Sequence, residues 1–188
     1  MVKPRGAVCN LDCRYCYFLS KENLYPGSHF RLDAALLESF TRQLIETRQG
    51  DEVTFSWQGG EPTLAGLAFF QQAVRYQQKY AEPGLRIHNT LQTNGTTLTD
   101  DWCRFLKEHE FLVGISIDGP QEFHDVFRLT KSGAGTHAQV MRGYDRLQKH
   151  EVATNILCTV HAANQKAPLK TYRFFRDDLE AQFIQFIP

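Results

Sequence analysis

The chain has 188 residues, 42% of them apolar, and its 21 basic residues balance 21 acidic ones. One domain with one sizeable core is the expectation at that length, and zero net charge supplies no overall field for nucleic acid or an anionic membrane. No stretch approaches the roughly 18 to 20 apolar residues that span a bilayer. The start, "MVKPRGAVCN", has no apolar signal region, so a cytoplasmic protein with neither nucleic-acid nor membrane partners is expected.

In chain order, a short strand is expected before Cys9, and a loop carrying Cys9, Cys13 and Cys16 follows at once. Asp33 then reads as a helix cap ahead of Leu36, Leu37, Phe40, Leu44 and Ile45, which recur at helical spacing. "EVTFSWQ" (Glu52 to Gln58) reads as a strand, and Leu67, Phe70, Val74 and Tyr80 mark a second helix. "LRIHNTLQTNG" (Leu85 to Gly95) is the next strand, after which Thr99, Asp100 and Asp101 open the helix "DDWCRFLKEHE". "FLVGISIDG" (Phe111 to Gly119), "VATNILCTVH" (Val152 to His161) and "QFIQFIP" (Gln182 to Pro188) complete the series. The pattern is βα repeated five times and then a sixth strand, which implies parallel pairing through right-handed crossovers. Strand pattern alone leaves three forms of the sheet open: closed, open, or a partial barrel. The last strand has an apolar edge with no helix after it, so a longer protein cut at this point is expected.

Ligands of parallel α/β folds sit at the carboxyl ends of strands. Those positions here are the cysteine loop, "WQGGEP", "QTNG", "SIDGP" and "QFIP". Five cysteines is an odd count, and three of them are crowded into eight residues, which disfavours a disulfide framework. Cys103 and Cys158 fall on an expected helix and strand and read as core residues. The other three invite a metal. A zinc site would want a fourth ligand, the nearest histidine being His29; a redox pair of Cys13 and Cys16 would leave Cys9 without a role. Iron–sulfur clusters are normally held by four thiolates, so three ligands on a four-iron cluster leave one iron open to substrate or cofactor.

C-x3-C-x2-C with Tyr15 just before the last cysteine resembles the signature of the radical S-adenosylmethionine (SAM) superfamily. The resemblance implies a partial (β/α)6 TIM-like barrel of parallel strands over residues 1–188, apparently truncated at strand six. It implies a [4Fe-4S] cluster on Cys9, Cys13 and Cys16, with SAM chelated by the open iron and cleaved to a 5′-deoxyadenosyl radical. Gln58, Gly59, Gly60 and Glu61 correspond to the family's second-strand motif, which meets the SAM ammonium. Two glycines permit close backbone approach, and a carboxylate suits an ammonium donor. Ser116 and Arg128 correspond to the region that meets the SAM ribose and carboxylate. Tyr15, and Ile184 on the last strand, are expected to flank the adenine. Gln92 to Gly95 resembles a motif lining the cavity beyond SAM.

From "PRGAVCNLDCRYCYF" through "WQGGEPTL", "QTNGTTL", "SIDGP", "GAGTH" and "NILCTV" to "QFIP", the chain is similar to the anaerobic sulfatase-maturating enzymes. That similarity implies oxidation of a cysteine or serine of a sulfatase to Cα-formylglycine. It implies a peptide segment as substrate and an electron donor such as flavodoxin or ferredoxin. The family's general base and auxiliary-cluster cysteines are expected beyond Pro188, so this segment is expected to be incomplete for turnover. Two other readings stand beside it: a maturase of another ribosomal peptide, forming a thioether or carbon–carbon crosslink, and a non-catalytic peptide-binding domain with a structural cluster.

Overall fold

The computed structural model describes residues 1–26 and 28–188. Five strands form one open sheet in the order β1 (Glu52–Trp57), β2 (Arg86–Thr93), β3 (Leu112–Ser116), β4 (Thr154–Thr159) and β5 (Ile184–Ile187). Every pairing is parallel, and the register aligns Trp57 with Leu91, Thr93 with Ile115, Ser116 with Leu157 and Thr159 with Ile187. All five carboxyl ends therefore open on one rim. The strand expected before Cys9 is reduced to a single parallel bridge between Val2 and Trp57. Val2 donates to Ser56 O at 2.7 Å and accepts from Gln58 N at 3.0 Å, but Pro4 has no N–H to continue the ladder. Gly6, at φ +54°, then turns the chain away.

Helices cover the outer face: α1 (Ala34–Glu46), α2 (Leu67–Tyr80), α3 (Asp100–Glu108), α4 (Gln121–Phe127), α5 (His137–Lys149) and α6 (Pro168–Arg173). Asp33 Oδ1 accepts from Leu36 N at 2.8 Å and Thr99 Oγ1 from Trp102 N at 3.4 Å, so both expected caps form. The crossover between β3 and β4 holds two helices, α4 and α5, where the sequence pattern indicated one. None of these helices is long and apolar enough to cross a membrane.

The core lies between helices and sheet. Phe55, Trp57, Leu91, Val113, Ile115 and Cys158 point outward from the strands and meet Phe70, Cys103, Leu106 and Phe111. Each fully buried large apolar side chain here contributes about 1.5 to 3 kcal/mol. Edge-to-face contacts run from Trp57 to Phe70 and on to Trp102. A polar cluster inside this layer is satisfied: Trp57 Nε1 and Gln77 Nε2 both donate to Asn89 Oδ1 at 2.9 Å. Residues two apart on the same strands, such as Ser56 and Gln58 or Thr90 and Gln92, face the concave side instead. The inner face is thus mixed, these polar side chains sharing it with Leu112 and Leu157. At the β5 edge Phe183 and Phe186 stand 64% and 44% exposed.

Candidate functional site

The cysteine loop has no regular structure, and neighbouring backbone holds it in place. Glu61 N donates to Val8 O at 2.9 Å on one side. On the other side Asp12 N donates to Leu129 O at 2.8 Å and Arg14 N to Phe127 O at 2.9 Å. Gly60 makes the first strap possible. It sits at φ +53°, and a Cβ there would lie 2.2 Å from Val8 O, so the chain passes too close for any side chain.

Cys9, Cys13 and Cys16 line one cavity of about 230 Å³ together with Tyr15, Gln58, Gly59, Gly60 and Glu61. Asn94, Ser116 and Thr159 complete its wall from the ends of β2, β3 and β4, and Arg128 from the stretch after α4. Seven of the eight residues expected to meet a cofactor are therefore gathered at the cysteines. The eighth, Ile184, is not: it is the first residue of β5, at the amino end of the strand, and packs against the hydrophobic core. All three cysteines line the cavity, and among the described residues no group of three or more Cys, His, Asp or Glu side chains is placed to hold a metal ion. All five cysteines are free, and Cys103 and Cys158 are buried in the core.

Burial pushes the Cys9 thiol up to about 11, with the charges of Glu61 and the neighbouring cysteines adding to it against the Leu11 N–H. Burial raises Cys13 as well. Neutral thiols are the resting form of these two, and a cationic group entering the cavity displaces their protons.

Glu61 is 1% exposed and already has four donors. Its Oε1 accepts from Thr63 N at 3.0 Å, Thr63 Oγ1 at 2.6 Å and Thr93 Oγ1 at 2.7 Å, while Oε2 accepts from Asn94 N at 2.7 Å. Burial raises its pKa against the pull of those donors. Its carboxylate clamps the Gly-Gly turn to the end of β2, a structural duty that the motif spacing did not reveal.

Asp118 is the residue that sequence reasoning missed. Fully buried, it accepts through Oδ2 from Arg128 Nε at 2.9 Å and from the Tyr15 hydroxyl, and through Oδ1 from Thr159 N at 3.0 Å. His161 Nε2 lies 3.5 Å from the same Oδ2. Burial opposes the charge, but the Arg128 guanidinium, His161 and Tyr15 outweigh it and hold the carboxyl well below the usual carboxylate range. Arg128, expected from the resemblance to meet the SAM ribose or carboxylate, is 7% exposed and held by this ion pair. Tyr15 is held between Asp118 and the stacked ring of His161, 5.8 Å away at 24°. The Asp118 backbone is pinned too: its N–H donates to His124 Nδ1 at 3.3 Å, and its carbonyl accepts from Asn164 Nδ2 at 3.1 Å.

A second cavity of about 220 Å³ lies along the concave face and shares Gln58 and Gln92 with the first. Ser56, Thr90, Asn155 and Gln185 continue its polar lining. A family model described as "Radical SAM superfamily" matches residues 4–175. The chain belongs to the radical SAM superfamily. Across its whole length it is 47% identical to a serine-type anaerobic sulfatase-maturating enzyme of Bacteroides thetaiotaomicron, covering 45% of that protein. Its whole length also matches a cysteine-type anaerobic sulfatase-maturating enzyme of Clostridium perfringens at 38% identity, covering 50% of it. The structure of native anSMEcpe with bound AdoMet and Cp18Cys peptide superposes with a TM-score of 0.90 at 37% identity, over 98% of this chain and 49% of that one. Streptococcus suis SuiB shares the fold at 13% identity and a TM-score of 0.71. This radical SAM chain thus spans about half the length of the curated relatives it matches.

Proposed function

We propose that residues 1–188 form the SAM-binding partial barrel of an anaerobic sulfatase-maturating enzyme, which oxidises a serine or cysteine of a sulfatase to Cα-formylglycine. The observation that carries this is the single cavity in which three loop thiols meet the Gly-Gly-Glu turn, Ser116 and Arg128. Its donor set fits a [4Fe-4S] cluster: three cysteines of one loop line the cavity, one thiolate short of the usual four, which leaves one iron for SAM. When bound, the cluster and SAM supply one-electron cleavage of the sulfonium to a 5′-deoxyadenosyl radical.

The chain's own residues hold and orient. The Gly59 and Gly60 backbone receives the methionine ammonium, with Gln58 beside it. Arg128, its Nε fastened to Asp118, turns its remaining guanidinium donors toward the methionine carboxylate. Ser116 meets the ribose and Tyr15 the adenine. Ile184, partly buried against the core, supports β5 from behind. The amide-rich concave face of Gln58, Gln92, Asn155 and Gln185 suits an extended peptide, because side-chain amides pair with backbone N–H and C=O alike. A flavodoxin or ferredoxin supplies the electron, and five free thiols fit a reducing cytoplasm.

The test is mass spectrometry of sulfatase-derived peptides incubated anaerobically with SAM, dithionite and the whole enzyme of which residues 1–188 form the barrel. Conversion of serine or cysteine to formylglycine is expected. SAM cleavage with a thioether or carbon–carbon crosslink instead would assign the chain to another peptide maturase.

A further inference from the structure

Asn94, at the carboxyl end of β2, is 7% exposed, and its side-chain orientation is fixed by its neighbours. The Thr96 backbone N–H, which can only donate, lies 3.0 Å from Oδ1, and the Thr96 hydroxyl donates to the same oxygen at 2.7 Å. With the oxygen end committed, the amide end must face the other way. There it donates to Asn10 Oδ1 at 2.9 Å and reaches Cys9 Sγ at 3.8 Å. Asn10 closes the ring, its own amide donating to Thr96 Oγ1 at 2.9 Å. Three side chains thus hold one another in a single arrangement, with an N–H aimed at the sulfur of Cys9.

The other donors to the loop sulfurs are backbone groups: Leu11 N to Cys9 and Phe18 N to Cys16, each at 3.4 Å. Among the described residues Asn94 supplies the one side-chain donor to any of the three. A donor to a ligating thiolate favours the more negative, reduced cluster over the oxidised one and so raises its reduction potential.

We propose that Asn94 is a positioning residue that, through its N–H to Cys9 Sγ, makes the cluster easier to reduce; this rests on Cys9 being a cluster ligand. The effect concerns the electron's entry and is independent of SAM and of peptide.

The test is an EPR-monitored redox titration of the anaerobically reconstituted full chain without SAM. Asn94→Leu removes the donor at similar size and without adding charge. At the wild-type midpoint its reduced-to-oxidised ratio should fall about tenfold, about 59 mV for a one-electron couple, with iron content unchanged. Asn94→Asp, which loses the donor and adds a negative charge, should fall further. An unchanged midpoint in an iron-loaded Asn94→Leu protein overturns the proposal. A measurement on the unsubstituted protein covers a variant that fails to fold. With asparagine labelled by 15N at the side-chain amide, pulsed EPR of the reduced cluster should detect a 15N coupling, and its absence overturns the proposal. A wild-type protein that takes up no iron overturns the reading of the site and this inference with it, whereas a loaded cluster with an unmoved midpoint overturns the role of Asn94 alone.

Discussion

Asp118 binds together three parts of the site that lie far apart in sequence: Tyr15 in the cysteine loop, Arg128 after α4 and Thr159 at the end of β4. Asp118→Asn keeps the shape and removes the charge, leaving Arg128 buried without its counter-ion. Breaking such a pair costs about 3 to 5 kcal/mol. The expected result is a lower urea midpoint, together with at least tenfold weaker SAM binding by calorimetry; unchanged affinity would show that Arg128 does not depend on Asp118 for its aim. His124 gives the site a pH dependence of its own. Its Nδ1 accepts from Asp118 N while Nε2 faces Thr136 Oγ1 at 3.2 Å, an arrangement only the neutral ring allows. Burial, with the charge of Arg128, lowers its pKa from the ordinary 6.5 to about 3. As pH falls the unfolded chain takes this proton first, so stability is complete above about 6.5 and declines from there toward 3. The depressed Asp118 carboxyl acts in a lower window: its contribution is present above the unfolded value of about 3.9 and is lost as pH falls through the folded one. His124→Asn, which keeps an acceptor near the Nδ1 position, should flatten the slope of stability between about pH 6.5 and 4, read by thermal melts across that range.

At the scale of elements, the parts that rest on local rules were legible beforehand. The periods of α1 and α2, the caps Asp33 and Thr99 and the five regular strands needed only neighbours within a few residues. The strand before Cys9 was overread because its apolar start is cut off by Pro4 and the left-handed Gly6. Ile184 was placed on the correct strand but at the wrong end of it, since site residues lie at carboxyl ends and β5 begins there. Asp118 and His161 escaped, and with them the ion pair that orients the expected Arg128, because a buried charge network is made by contacts between distant loops, which spacing does not encode. Gly60 belongs to the legible group, although the neighbour that requires it is the Val8 carbonyl beside the first cysteine. Gly60→Ala adds left-handed strain and a Cβ against that carbonyl, an overpacking cost of about 1 to 3 kcal/mol. It should leave the circular dichroism spectrum intact while iron uptake on reconstitution falls to a minor fraction. Full iron loading would show that the strap to Val8 does not set the cysteine geometry.

At the scale of the whole molecule, an open parallel sheet has its apolar outer face sealed by helices, while its inner face carries polar side chains beside Leu112 and Leu157. The cavity at the carboxyl rim is built from every segment that crosses it: the loop before β1, the turns after β1 and β2, the ends of β3 and β4, and the stretch after α4. This division of labour leaves the carboxyl rim to the cysteine cavity and the inside of the sheet to the second cavity that adjoins it. The account stands on the claim that Cys9, Cys13 and Cys16 hold a cluster with one open iron that takes SAM. Anaerobic reconstitution with iron and sulfide, followed by SAM and dithionite, tests it most directly, with chromatography of the nucleoside products as the readout. The account predicts a brown protein carrying a four-iron cluster that releases 5′-deoxyadenosine, with release abolished by alanine at any one of the three cysteines. Zinc bound in place of iron, with no 5′-deoxyadenosine formed, would contradict it.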